Sequence, residues 1–113
     1  AAIYVEAYLN PESYFRDSVF KDNVSSRAGL IYIWRNRSLL TVSRSTFLNN
    51  SGNVAAAIQA DTTSVTIDAC TFEKNTGLFL ISGTSATNEG LSLRLTSSKL
   101  HENNAVAITL NNF

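Results

Sequence analysis

The chain has 113 residues, enough for one domain of ordinary size, and its nine Lys and Arg balance nine Asp and Glu. That balance argues against a general binder of nucleic acid or of an anionic membrane, because both need an excess of positive charge. Charged residues make up only 16% and apolar residues 44%, while Ser, Thr and Asn fill 37 of the 113 positions; this suits a β protein with many short turns. The single cysteine, Cys70, excludes an intrachain disulfide and a cysteine-based zinc site. No apolar run reaches the ~18 residues of a membrane helix, so membrane insertion is not expected.

In chain order, residues 1–7 open with an alternating strand around Ile3 and Val5. Phe15-x-x-Ser18-x-Phe20-x-x-Asn23 follows. Ile31 and Ile33 then begin a second alternating stretch, and Val42-x-x-Ser45-x-Phe47-x-x-Asn50 repeats the first string. The order recurs with Ile58 and Ala60 before Ile67-x-x-Cys70-x-Phe72-x-x-Asn75. It recurs again with Ile81 and Gly83 before Leu95-x-x-Ser98-x-Leu100-x-x-Asn103, and Ile108 and Leu110 close the series. The asparagines stand 27, 25 and 28 residues apart, and the offsets inside the string do not vary. Alternation of apolar and polar residues marks strands with one face inward.

A unit of about 26 residues cannot bury its own apolar face, so successive units must stack on one another. The expected fold is all-β: a parallel β-helix of about four coils of 25–28 residues. The coils run approximately 1–23, 24–50, 51–75 and 76–103, with a partial coil at 104–113. Equivalent residues then lie one above the next. Phe20, Phe47, Phe72 and Leu100 make one interior column, and Ile31, Ile58, Ile81 and Ile108 another. Asn23, Asn50, Asn75 and Asn103 make a ladder whose amides can bond along the axis. Ser18, Ser45, Cys70 and Ser98 fit a tight corner, where Cys70 reads as a buried small residue rather than a nucleophile.

The recurrence Phe20-Lys21-Asp22-Asn23, Phe47-Leu48-Asn49-Asn50 and Phe72-Glu73-Lys74-Asn75 resembles the right-handed parallel β-helix of the pectin-lyase-like superfamily. It is closest to the Phe-x-x-Asn repeats of polymorphic membrane proteins and related adhesins. In those repeats the string alternates with a Gly-Gly-Ala-Ile-like strand; here that second half stands as Ala28-Gly29-Leu30-Ile31 and Ala55-Ala56-Ala57-Ile58. The resemblance implies a fold that hosts lyases, hydrolases, adhesins and inert scaffolds alike. A leucine-rich repeat also places Asn after apolar positions at a similar period. However, its second apolar position is Ser or Cys here, and no helical pattern follows the Asn.

Both ends read as lying inside the solenoid, without polar closing units. The expectation is a segment of a longer β-helix, or a subunit that self-associates end to end.

The outward columns carry mixed charges: Lys21, Leu48, Glu73, His101 in one and Asp22, Asn49, Lys74, Glu102 in the next. No single column stacks two carboxylates one coil apart, so no catalytic residue, metal site or cofactor is expected. Asp17 should pair across coils with Arg44, and His101 reads as a solvated turn residue beside Glu102. Trp34, Arg35 and Arg37, with Arg27 nearby, form the one basic-aromatic cluster that could stack on a sugar or grip an acidic glycan. Residues 84–90 form the longest insertion, a place where solenoids often meet partners. Of three Asn-x-Ser sequons, those at Asn36 and Asn49 are the candidates for glycosylation, because Asn23 belongs to the ladder. Together these readings favour a non-catalytic structural or adhesive protein, extracellular or on a cell surface, meeting glycans, a surface protein or its own copies. A carbohydrate-active β-helix is the second reading and a leucine-rich-repeat recognition module the third.

Overall fold

The computed structural model describes residues 3–6, 12–25, 30–84 and 92–111. Among them every regular element is a strand. In chain order these are β1 (Ile3–Glu6), β2 (Glu12–Arg16), β3 (Val19–Lys21), β4 (Val24–Ser25), β5 (Ile31–Ser43), β6 (Thr46–Leu48) and β7 (Ser51–Gly52). Next come β8 (Ala55–Asp68), β9 (Thr71–Glu73), β10 (Thr76–Thr84), β11 (Leu93–Thr96), β12 (Lys99–His101) and β13 (Asn104–Asn111).

The strands pair in parallel between coils, forming a β-solenoid of about three turns. In the larger sheet β1, β5, β8, β10 and β13 stack through the isoleucines: Ile3 opposes Ile31, Ile31 opposes Ile58, Ile58 opposes Ile81, and Ile81 opposes Ile108. Strand β2 and the second halves of β5 and β8 stack with β11, so that Phe15, Val42, Ile67 and Leu95 lie in line. The smaller sheet is β3-β6-β9-β12, with Phe20, Phe47, Phe72 and Leu100 in register. The period-2 alternation of the sequence becomes alternation of exposure: along β8 the inward Ile58, Ala60, Val65 and Ile67 are buried.

The core is the inside of the coil, where Leu30, Ile31, Ile33, Leu40, Val42, Phe47, Ile58, Ile67, Phe72 and Ile81 come together. The Phe20 and Phe47 rings stack at 4.8 Å and 15°, and those of Phe47 and Phe72 at 4.7 Å and 5°. These separations match the inter-strand spacing of about 4.8 Å, so the backbone repeat itself sets the ring stack. Leu100 holds the expected place in the column but is 39% exposed. It is the outermost member of that column among the described residues, and no further ring covers it.

Two strands are longer than the sequence suggests. Strands β5 and β8 run on through the bend between the two halves of the larger sheet. The difference in coil length is absorbed there: Trp34 opposes Asp61 and Ser38 opposes Thr63, so three residues face Thr62 alone. Thr62 takes the left-handed conformation with φ 54°.

Candidate functional site

The Phe-x-x-Asn arc has two corners per coil, and each is turned by a residue in the left-handed region. The first corner uses Asp17, Arg44, Ala69 and Ser97, and the second Asp22, Asn49, Lys74 and Glu102, all with φ between 46° and 58°. None is glycine and none is β-branched, which keeps the steric cost low enough for the next coil to offset. The corner amides still bond between coils: Arg44 donates to the Asp68 carbonyl at 3.0 Å and Asn49 to the Glu73 carbonyl at 3.0 Å.

The residue after each left-handed position closes its corner with a side chain. At the first corner the Ser45 hydroxyl donates to the Ser43 carbonyl at 2.8 Å and accepts from the Ser18 amide at 3.2 Å. Cys70 takes the same place, with its thiol donating to the Asp68 carbonyl at 3.4 Å and its amide donating to Ser98 Oγ at 3.1 Å. Cys70 is buried, and that burial, the largest influence, pushes its thiol pKa up, which suits a packing residue. At the second corner Asn75 Nδ2 donates to the Phe47 carbonyl at 2.9 Å and to Asn103 Oδ1 at 3.0 Å. Its Oδ1 accepts from both the amide and Nδ2 of Asn50. The expected ladder Asn23–Asn50–Asn75–Asn103 is therefore a continuous hydrogen-bonded chain with Asn50 and Asn75 fully enclosed. It is structural: its polar atoms are occupied by neighbouring coils and none is free to meet a ligand at Asn50 or Asn75.

Exposed chemistry lies on two outer faces. On the larger sheet Tyr32 and Gln59 are register partners, as are Asp61 and Thr84 two residues further along. Asp61 accepts from the Tyr32 hydroxyl at 2.8 Å and from the Thr84 hydroxyl. With both oxygens held across two coil steps, this carboxylate acts as a clasp between coils. Trp34, Arg35 and Arg37, and the sequon residue Asn36, lie on β5 at the register shift; their side chains fall outside the described ones, as do Arg27 and residues 85–90 of the insertion. The exposed sequon residue Asn49 donates from Nδ2 to Asp22 Oδ1 at 2.7 Å.

The second outer face is the Asn corner. There β9 and β12 place Glu73 opposite His101, and Glu102 turns the corner directly after it. Ligand atoms of Glu73, His101 and Glu102 all lie within 4.8 Å of one another. His101 Nε2 is 3.1 Å from Glu102 Oε1, and both side chains are about half exposed. His101 belongs to a strand, not to the expected turn. The sequence reading missed this group because it compared residues down single columns, whereas the cluster is diagonal: two columns and two coils meet in it. Beside it an open cleft of about 230 Å³ is lined by Leu80, Leu100, Glu102, Asn103 and Ala105. Asp17 and Arg44 pair across coils as expected, with Nε to Oδ1 at 2.7 Å and Nη2 to Oδ2 at 3.0 Å.

Comparison of the chain with protein-family models, with curated proteins and with solved structures returns no match.

Proposed function

We propose that this chain is a non-catalytic structural or adhesive element of a secreted or cell-surface protein, a rigid stalk, spacer or filament subunit. Its coil is read as the right-handed β-helix of pectin-lyase-like proteins, in the adhesin-repeat variant. The observation that carries this reading is the unbroken side-chain ladder through Asn23, Asn50, Asn75 and Asn103 beside the stacked Phe20, Phe47 and Phe72. A core whose polar groups bond along the axis resists bending and shear between coils, which is the property a spacer needs. The outer carboxylate Asp61 supports the same reading, because its oxygens are engaged by Tyr32 and Thr84 rather than held ready for proton transfer.

Strands β3 and β12 each pair on one side only among the described residues. Such edges accept a further coil of the same chain or of a second copy, and the outer faces would meet glycans or a surface protein. Electron microscopy of the native material tests the proposal, with an assay for unsaturated uronide release from acidic polysaccharide as its companion. Rods or filaments without uronide release are expected. Globular particles, or uronide release, would replace this reading with the carbohydrate-active one.

A further inference from the structure

We propose that Glu73, His101 and Glu102 bind a single divalent transition-metal ion of the Zn²⁺ type on the outside of the Asn corner. The donor set is one imidazole and two carboxylates. Imidazole suits zinc and its first-row neighbours, whereas calcium and magnesium favour all-oxygen sites. Two carboxylates also offset the charge of a divalent ion.

Zinc bonds of about 2.0–2.2 Å to nitrogen and oxygen put neighbouring ligand atoms about 3–3.6 Å apart. His101 Nε2 and Glu102 Oε1 already stand at 3.1 Å, and all three donors lie within 4.8 Å. Side-chain rotation alone can bring the third ligand in, because the backbone beneath is pinned. Glu73 and His101 are register partners, the Lys74 amide donates to the His101 carbonyl at 3.1 Å, and Asn103 Nδ2 donates to the Phe72 carbonyl at 2.8 Å. Glu102 is held between these anchors at φ 53°. Three protein ligands and an exposed position leave the remaining coordination to water. The site is particular to this step of the solenoid: the same two columns carry Lys21 with Asp22 and Leu48 with Asn49 in the earlier coils.

The test is isothermal titration of the intact protein with zinc chloride, alongside cobalt(II) absorption, for the wild type and for His101→Gln, Glu73→Gln and Glu102→Gln. Circular dichroism establishes that each variant is folded. One equivalent of zinc is expected to bind the wild type. His101→Gln should weaken it on the order of tenfold or more, since losing a direct ligand costs at least what losing a supporting residue does. Each glutamine variant at a carboxylate should weaken it as well, and cobalt should show nitrogen–oxygen ligation that His101→Gln abolishes. No saturable binding, or binding that His101→Gln leaves unchanged, overturns the proposal.

Discussion

Asn75 Oδ1 receives both the backbone amide of Asn50, at 2.9 Å, and the side-chain amide of Asn50, at 3.0 Å. One oxygen thus fixes the corner backbone and the corner side chain of the coil before it. Replacing Asn75 by Ala takes the side-chain partner from the buried Asn50 amide and from the Phe47 carbonyl, and leaves Asn50 Nδ2 with only its bond to the Phe20 carbonyl. Each such group costs about 1–3 kcal/mol, so Asn75→Ala is expected to lose on the order of 3 kcal/mol or more in urea denaturation. Asn23→Ala, at the half-buried end of the ladder, should lose less than half as much. Equal losses at both positions would show that the ladder does not act as a chain.

Gly77 has no room for a side chain. A Cβ there would stand 2.9 Å from the Gly52 carbonyl oxygen, 3.1 Å from the Ala56 amide and 3.2 Å from the Ala56 Cβ. Two of these neighbours are backbone of the preceding coil and cannot swing aside. Gly77→Ala should therefore destabilise the fold by about 1–3 kcal/mol. Gly52→Ala, its neighbour one coil earlier, offers a comparison by the same thermal melt.

Cys70 replaces serine in an otherwise hydroxyl-lined corner. Cys70→Ser should keep the hydrogen bond to the Asp68 carbonyl and change stability by less than about 1.5 kcal/mol. The raised thiol pKa has a defined sign. A folded value above the unfolded one of about 8.5 gives stability that is complete at lower pH and is lost as pH climbs through the folded value. Wild-type melting temperature should accordingly fall on the alkaline side, and the serine variant should not share that fall. A thiol reagent at neutral pH should react only as fast as the protein opens.

Thr62 is β-branched and left-handed, a costly combination at the bend of β8. Thr62→Asn is expected to raise stability by about 0.5–1 kcal/mol, because asparagine tolerates this conformation better. A drop instead would mean that the threonine side chain contributes more than its backbone strain removes.

The Asp17–Arg44 pair answers to acid. The hydrogen bond from Arg44 holds the Asp17 carboxyl below its usual range. Its contribution is present above the unfolded value of about 3.9 and disappears as pH falls through the folded one. Both partners are well exposed, at 61% and 59%, so the effect is small and salt-sensitive. Asp17→Asn should melt slightly below wild type at pH 5 and level with it at pH 2, and added salt should shrink the gap at pH 5.

Much of the fold can be read from the residues alone, because fixed offsets between Val42, Ser45, Phe47 and Asn50 recur at each coil and a column is a one-dimensional pattern. The corner conformations are harder to read. Asp17, Arg44, Ala69 and Ser97 share a backbone angle but no side-chain chemistry, so no motif announces them. The long strands β5 and β8 cross a bend that polar residues disguise as a turn. The Glu73, His101 and Glu102 cluster needs the register of two strands before its members become neighbours. Trp34 and Arg35 drew attention by residue type, yet type alone does not say which way a side chain faces.

Between Val42 and Asn50 the count of residues matches that from Ile67 to Asn75 and from Leu95 to Asn103, while three residues face one across the bend at Thr62. The molecule thus has a spine that tolerates no change of length and a flank that already accommodates it. A foreign peptide grafted between Asp61 and Thr63 should be carried without disturbing the stack. The same graft between Phe72 and Asn75 should put every later layer out of phase.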